Sequence, residues 1–170
     1  KALYVGLSNY DGELMKRAYE ILTDLHCPFV INQNRYSIFD RTIENNGLKR
    51  ESVNLRRGII AFSPLAQGML TDRYLNGIPE DSRIKKDGRF LKESALTEDK
   101  LESIRGLAAV AKARGQTLAE MALAWILRDG AVTSVLIGAS KPSQITENIK
   151  AIENTHFSAE ELRSIDALSR

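Results

Sequence analysis

Short apolar runs alternate along the chain with stretches whose apolar residues recur every three or four positions. That alternation predicts strand–helix units around a parallel sheet. Leu3 to Leu7 reads as a first strand and Asp11 to Leu25 as the helix after it, with Leu14, Ala18, Ile21, Leu22 and Leu25 at helical spacing. Phe29 to Ile31 begins a second strand, and Thr42 to Leu55 reads as a helix with Ile43, Leu48 and Leu55 as a sparser stripe. Gly58 to Phe62 is continuous and apolar, as parallel strands buried on both faces tend to be. Val132 to Ile137 is the fourth strand. Its helix, Pro142 to Glu153, is entered through Ser140 and Pro142, which suit a cap and a first turn.

Two more helices, Glu98 to Arg114 and Thr117 to Asp129, precede that last strand. The second opens with the capping box Thr117-Leu-Ala-Glu120, and a final helix opens with another, Ser158-Ala-Glu-Glu161. Trp125, Leu118, Met121 and Ala122 share one helical face and read as core. Between Ser63 and Thr97 lies a long polar stretch with Gly68, Gly77, Pro79 and Gly88, which reads as a loop over the mouth of the sheet.

Four consecutive strand–helix units are half of an eight-fold barrel, whose full form takes about 250 residues. A small doubly wound sheet is the alternative, but it would usually carry a glycine-rich phosphate turn after its first strand. Gly6-Leu-Ser-Asn9 is not GxGxxG, and no GxxxxGK[ST] occurs, so the expectation is an α/β half-barrel in one domain, residues 1–170. The chain opens inside a strand, and the sequence is expected to begin mid-protein.

Composition narrows the function classes. A net charge of +2, with Lys and Arg spread rather than striped, argues against nucleic acid. No apolar run approaches the roughly 20 residues of a membrane span. The single Cys27, expected to be buried and inert, offers no disulfide framework, and no histidine stands at metal spacing from it. Arg56-Arg57 and Lys85-Lys86 read as solvated charge. With no leader-like start, the cytoplasm is the expected compartment.

In a parallel barrel, function gathers at the C-terminal ends of the strands. Those ends here are Ser8-Asn9, Asn32-Gln33-Asn34, Phe62-Ser63 and Gly138-Ala139-Ser140. They offer neutral amides, hydroxyls and one aromatic face, with no strong acid, base or metal ligand. Such a set suits holding a planar, amide-bearing ring and a phosphate. The N-terminus of the last strand's helix is a ready anion site.

Four segments together resemble the signature segments of the aldo-keto reductase superfamily. They are Val-Gly-Leu-Ser8-Asn9, Asn32-Gln33-Asn34-Arg35-Tyr36, Ala61-Phe62-Ser63-Pro64-Leu65-Ala66-Gln67-Gly68, and Ile137-Gly138-Ala139-Ser140 with Gln144, Glu147 and Asn148. Their order and spacing are similar to the fifth to eighth strands of that family's (β/α)8 TIM barrel, over essentially the whole chain. The resemblance therefore makes the fold the barrel's second half. The nearest branch is that of the potassium-channel β-subunits and bacterial glyceraldehyde-3-phosphate reductases, and Arg73 to Arg83 is similar to its cofactor-covering loop.

The resemblance implies an NADP(H) site. Ser8, Asn9 and Gln33 hold the nicotinamide carboxamide and Phe62 stacks on the ring. Ser63, Leu65 and Gln67, in the turn framed by Pro64 and Gly68, line the pyrophosphate under Arg73 and Arg83. Gly138, Ser140, Gln144, Glu147 and Asn148 hold the adenosine end. Many members place a lysine and an arginine where this chain has Gly138 and Gln144, so Lys141 is the candidate for the 2′-phosphate. The family's catalytic Asp, Tyr, Lys and His belong to strands outside these 170 residues, and neither Tyr10 nor Tyr36 matches them by position.

Three functions follow as expectations. The intact protein is an NADPH-dependent reductase of small aldehydes such as glyceraldehyde 3-phosphate or methylglyoxal, and this half is inactive by itself. Alternatively, it is an NADP(H)-binding regulatory or redox-sensing subunit, or a self-associating half-barrel whose open edges seek a partner, forming a homo-oligomer. No nucleic-acid or membrane partner is expected.

Overall fold

In a computed structural model, which describes residues 2–27, 29–75, 77–79 and 93–169, four strands build one parallel sheet. They are β1 (Val5–Ser8), β2 (Phe29–Arg35), β3 (Gly58–Phe62) and β4 (Ser134–Val135), in the order β1-β2-β3-β4. Each strand pairs with the next in sequence, as the half-barrel reading requires. β4 is shorter than Val132 to Ile137, but Thr133 N donates to Ile59 O at 2.9 Å and Leu136 N to Ala61 O at 2.8 Å, so the ladder runs on at both ends.

The register divides the sheet into two faces, because side chains of paired residues point the same way and alternate along each strand. Leu7, Asn32 and Ile59 form one row of the helix-covered face, and Asn34, Ala61 and Val135 the next. Gly6, Ile31 and Gly58 form a row on the opposite, open face, followed by Ser8, Gln33, Ile60 and Ser134, then by Arg35 and Phe62. Ile31 lies across its two glycine neighbours: a Cβ at Gly6 would stand 3.3 Å from Ile31 Cγ2, and one at Gly58 3.1 Å from Ile31 Cδ1.

Helix α1 (Gly12–Asp24) is capped by Asp11, whose carboxylate accepts from Leu14 N at 2.8 Å. The helix expected over Thr42 to Leu55 is two, α2 (Thr42–Asn45) and α3 (Leu48–Leu55). Gly47 breaks it with φ of +80°, Asn46 Oδ1 accepts from Leu48 N at 3.1 Å, and a Cβ on Gly12 would stand 2.7 Å from the Gly47 backbone. The break lets the start of α1 pack against this corner. Next come α4 (Glu98–Ala113), α5 (Leu118–Leu127), α6 (Pro142–Ile149), a 3-10 turn over Lys150–Glu153, and α7 (Ala159–Leu168). Both expected capping boxes, Thr117/Glu120 and Ser158/Glu161, form.

The core lies between the sheet and the helices. Leu118, Met121, Ala122, Trp125 and Ile126 of α5 are buried in it. Burying each large side chain contributes about 1.5–3 kcal/mol, which fixes α5 as the central helix. The stretch from Ser63 to Thr97 carries 3-10 turns at Ala66–Gly68, Asp72–Tyr74 and Glu93–Ala95. Tyr74 is buried with Met69, Ile78 and Leu96, so this part of the loop has its own small core. Arg83, Lys85 and Lys86 lie outside the described residues. Cys27 is half-buried rather than fully buried, and Arg57 stacks 4.9 Å from the Tyr19 ring rather than extending into solvent.

Among the described residues β1 and β4 are the edge strands, and neither pairs with a further strand. Leu14 and Ile21 on α1 with Leu25 just beyond it, and Ile145 and Ile149 on α6 with Ile152 just beyond it, are exposed. No helix among the described residues is long and apolar enough to cross a membrane.

Candidate functional site

The strand ends gather the first group of site residues on the open face. Ser8 and Gln33 are register partners. Asn9 turns the chain out of β1 with φ of 60°, a left-handed conformation that asparagine tolerates better than most residues. Its backbone N donates to Gln33 O at 2.9 Å and its side chain to Ser8 Oγ at 3.0 Å. One row further up stands Phe62, paired in register with Arg35, whose guanidinium carbon lies 5.7 Å from the ring centre. Ser8, Asn9, Gln33 and Phe62 are thus brought together.

The turn leaving β3 is strained. Ser63, Ala66 and Gln67 all have positive φ, at 53°, 47° and 61°. Such conformations cost about 1–3 kcal/mol each and persist only where the surroundings hold them. Here Ala66 N donates to Ser63 O (3.0 Å), Gly68 N to Leu65 O (2.9 Å), Leu70 N to Leu65 O (3.1 Å) and Gln67 Nε2 to Ser63 Oγ (3.3 Å). Pro64 is buried beneath. Arg73 follows on the second 3-10 turn, exposed, its backbone N donating to Thr71 Oγ1 at 3.3 Å.

The last group surrounds the start of α6. Gly138, Ala139 and Ser140 are exposed. Ser140 does not cap the helix as the sequence reading expects; Lys141 is the cap residue. Gln144 takes over the capping: its Oε1 accepts from Ser140 N at 2.8 Å, Ser140 Oγ at 3.2 Å and Lys141 N at 3.3 Å. Asn148 sits one turn below, half-buried, beside the exposed Glu147.

Two strand-end residues face the other way. Asn32 and Asn34 are buried on the helix side, where both amides donate to Tyr10 O, at 3.4 and 2.8 Å, and tie down the β1–α1 turn. The alternation of a strand separates them from Gln33, a parity that a list of strand-end residues ignores.

Immediately behind the site is a cluster that the sequence reading missed. Tyr36 is wholly buried; its hydroxyl donates to Glu44 and accepts from Arg128 Nη1 at 3.2 Å and Lys49 Nζ at 3.5 Å. Arg128 also reaches Glu44 at 3.2 Å, Lys49 reaches Asp129 at 2.5 Å, and Arg41 reaches Asp166 at 2.6 Å. Arg41 and Arg128 stack against the Trp125 ring, at 4.5 and 3.8 Å from its centre. Burial pushes the Tyr36 phenol well above its ordinary pKa, and the Glu44 hydrogen bond adds to this against the opposing Arg128 charge. A phenol so sealed and so held is no proton donor for a substrate. Tyr36 N does donate to Phe62 O at 3.3 Å, so the cluster braces the backbone under the ring.

A cleft of about 750 Å³ lies elsewhere, between Lys112–Thr117 and Lys150–Asn154. Within it Arg114 is paired with Glu161 and bonded to the Asn154 and His156 carbonyls, and Glu120 caps α5. These groups are already used by the fold. Among the described residues no group of three His, Cys, Asp or Glu side chains could hold a metal. Among the described residues, the strand ends on the open face carry hydroxyls, amides, one aromatic ring and the guanidinium of Arg35.

Comparison with known proteins identifies the family and agrees with the fold. The model of the Aldo/keto reductase family matches residues 1–170. The chain is 48% identical over 169 residues to the L-glyceraldehyde 3-phosphate reductase of Escherichia coli O157:H7, covering 98% of this chain and 49% of that protein. It is 35% identical over 157 residues to a probable voltage-gated potassium channel subunit beta of Oryza sativa subsp. japonica, covering 89% and 47%. Among solved structures it is similar to a thermostable aldo-keto reductase crystallised with the inhibitor epalrestat, with a TM-score of 0.68, 28% identity and coverage of 97% of this chain and 48% of that one. The chain thus spans about half the length of the relatives it matches, as half of a barrel does.

Proposed function

The chain belongs to the aldo/keto reductase family, and we propose that the intact protein reduces small aldehydes with NADPH. The observation that carries this reading is the meeting of Ser8, Asn9, Gln33 and Phe62 on one open face, directly before a strained turn. When bound, the nicotinamide supplies the hydride.

The residues present fit such a group. Ser8, Asn9 and Gln33 offer a hydroxyl and two amides for a carboxamide, and Phe62 a face for its ring. Ser63, Leu65 and Gln67, with Pro64 and Gly68 shaping the turn, would line the pyrophosphate, and Arg73 and Arg83 are the cations assigned to it. Gly138, Ser140, Gln144, Glu147 and Asn148 hold the adenosine end. Because Gln144 Oε1 already accepts from Ser140 and Lys141, its amide N–H groups are the part left to donate to a ligand. The exposed cation at this end is Lys141, at the N-cap of α6, and we assign it the 2′-phosphate that separates NADP from NAD.

Hydride transfer to a carbonyl leaves an alkoxide oxygen that needs a proton, and among the described residues the open face has no acid to supply it. The donor then comes from the family's Asp, Tyr, Lys and His set, in the part of the protein outside these 170 residues. NADPH oxidation with methylglyoxal or glyceraldehyde 3-phosphate, followed by absorbance, tests both statements. The full-length protein should turn over and the 170-residue chain should not. Turnover by the pure 170-residue chain would overturn the division of labour.

The similarity to a potassium channel β-subunit supports a second reading, an NADP(H)-binding redox-sensing subunit. Tight cofactor binding with no multiple turnover on any small aldehyde would favour it.

A further inference from the structure

Phe62 is the last residue of β3, and the chain leaves the sheet straight after it, at Ser63 with φ of 53°. Its carbonyl is held at that point of departure by Tyr36 N, which donates to it at 3.3 Å, just beyond the register pair Arg35 and Phe62. This last rung is longer than the usual N–H···O range of about 2.7–3.2 Å, so a small outward shift of either strand end opens it. Two things depend on the rung. A ring that stacks on a planar ligand must present its face at a set height and angle. The left-handed residues that follow, Ser63, Ala66 and Gln67, persist only where their surroundings hold them.

The place of Tyr36 N is set by its own side chain. The Tyr36 ring is wholly buried, 5.3 Å from the Trp125 ring. Its hydroxyl is tied to three separate elements. It donates to Glu44 of α2, and it accepts from Lys49 of α3 at 3.5 Å and from Arg128, just past α5, at 3.2 Å. Because no part of Tyr36 reaches solvent, its surroundings are complete within these 170 residues. A phenol bonded to three elements cannot slide without breaking one of those bonds, so the helices fix Tyr36, and Tyr36 fixes the end of β3.

We propose that Tyr36 is a positioning residue for the cofactor: through its backbone N–H it sets the Phe62 ring against which the nicotinamide stacks. The phenol itself touches neither cofactor nor substrate. The inference rests on the NADPH reading of the open face and deepens it, by giving the stacking ring a buried support built from α2, α3 and the end of α5.

The test is a double-mutant cycle in the full-length protein, with the Kd for NADPH measured by calorimetric titration. Tyr36→Phe removes the hydroxyl but keeps the backbone N–H, the ring and the Glu44–Arg128 pair. Alone it should weaken NADPH binding about threefold, against about tenfold for Phe62→Ala. In the double variant the loss should stay at about tenfold, because Tyr36 acts only through the ring that has been removed. A merely structural tyrosine would multiply the two losses, to about thirtyfold, and that result overturns the proposal. An unchanged Kd in Tyr36→Phe overturns it as well. Should Tyr36→Phe not fold, Arg128→Lys gives the same cycle with the same two outcomes, since it keeps a cation for Glu44 but withdraws the donor at 3.2 Å from the hydroxyl. No NADPH binding by the wild type, or an unchanged Kd in Phe62→Ala, would remove the cofactor reading and the inference with it. Weakening in Phe62→Ala combined with multiplied losses sinks the inference alone.

Discussion

The segment Gln33–Tyr36 serves two polar regions that lie back to back and could hardly differ more. On the open side, Gln33 and Arg35 join Ser8, Asn9 and Phe62 in a group with a single charge and few internal bonds. On the covered side, Tyr36 sits among Glu44, Lys49, Arg128 and Asp129, each bonded to another member of the cluster. The second region is richer in charge, and its buried Tyr36 phenol has a raised pKa, which makes it a tempting candidate site. It is scaffold, because its charges compensate one another and leave nothing for a ligand. Unused hydrogen-bonding capacity, rather than charge density, is what recommends the open face as the proposed site.

If the open face is unfinished surface and the covered face finished interior, the largest effect concerns association. The 170-residue chain alone, at 19.0 kDa, exposes two sheet edges and the stripes on α1 and α6. Light scattering should find it dimeric or aggregated. A monodisperse monomer would mean that these edges are tolerated as they are.

The next effect sharpens the scaffold side. Glu44→Ala strips Arg128 of its carboxylate and Tyr36 of its acceptor in a largely buried setting. A loss of about 3 kcal/mol is expected from urea unfolding of the full-length protein, the low end for breaking a buried pair because Glu44 keeps some exposure. A change under about 0.5 kcal/mol would demote the cluster to surface decoration.

The smallest effect is alkaline. Tyr36 has a folded pKa above its unfolded value, so its contribution to stability is complete below the ordinary tyrosine pKa and fades as pH rises beyond it. Above about pH 10 the wild type should therefore lose stability faster than Tyr36→Phe, by at most about 1.4 kcal/mol per pH unit. Parallel profiles would show that the phenol is not held as described.

The contrast also explains what the sequence could disclose. Strand–helix alternation, the two capping boxes and the Trp125 face of α5 were legible because each is a local pattern within a few residues. So were Ser8, Gln33 and Phe62, since strand ends of a parallel sheet converge whatever the intervening sequence. The Tyr36 cluster was not legible: Glu44, Lys49 and Arg128 lie 8, 13 and 92 residues from Tyr36, and no local period links them. The inward or outward aim of Asn32 and Asn34 depended on the parity of β2, set by its pairing with β1 and β3. The break between α2 and α3 did carry a signal, the Asn46-Gly47 dipeptide, outweighed by the apolar stripe running past it. Gln144 displaced Ser140 as the group that closes the start of α6 because its longer side chain reaches two backbone N–H groups at once.

The central claim is that the open face is a cofactor cradle, and NADPH affinity tests it most directly. Calorimetric titration of the full-length protein should give micromolar or tighter binding, weakened about tenfold by Phe62→Ala through loss of ring stacking. Because Phe62 is only half-buried, that substitution should leave stability within about 1 kcal/mol. Binding that is absent in the wild type, or equally tight in Phe62→Ala, would contradict the account.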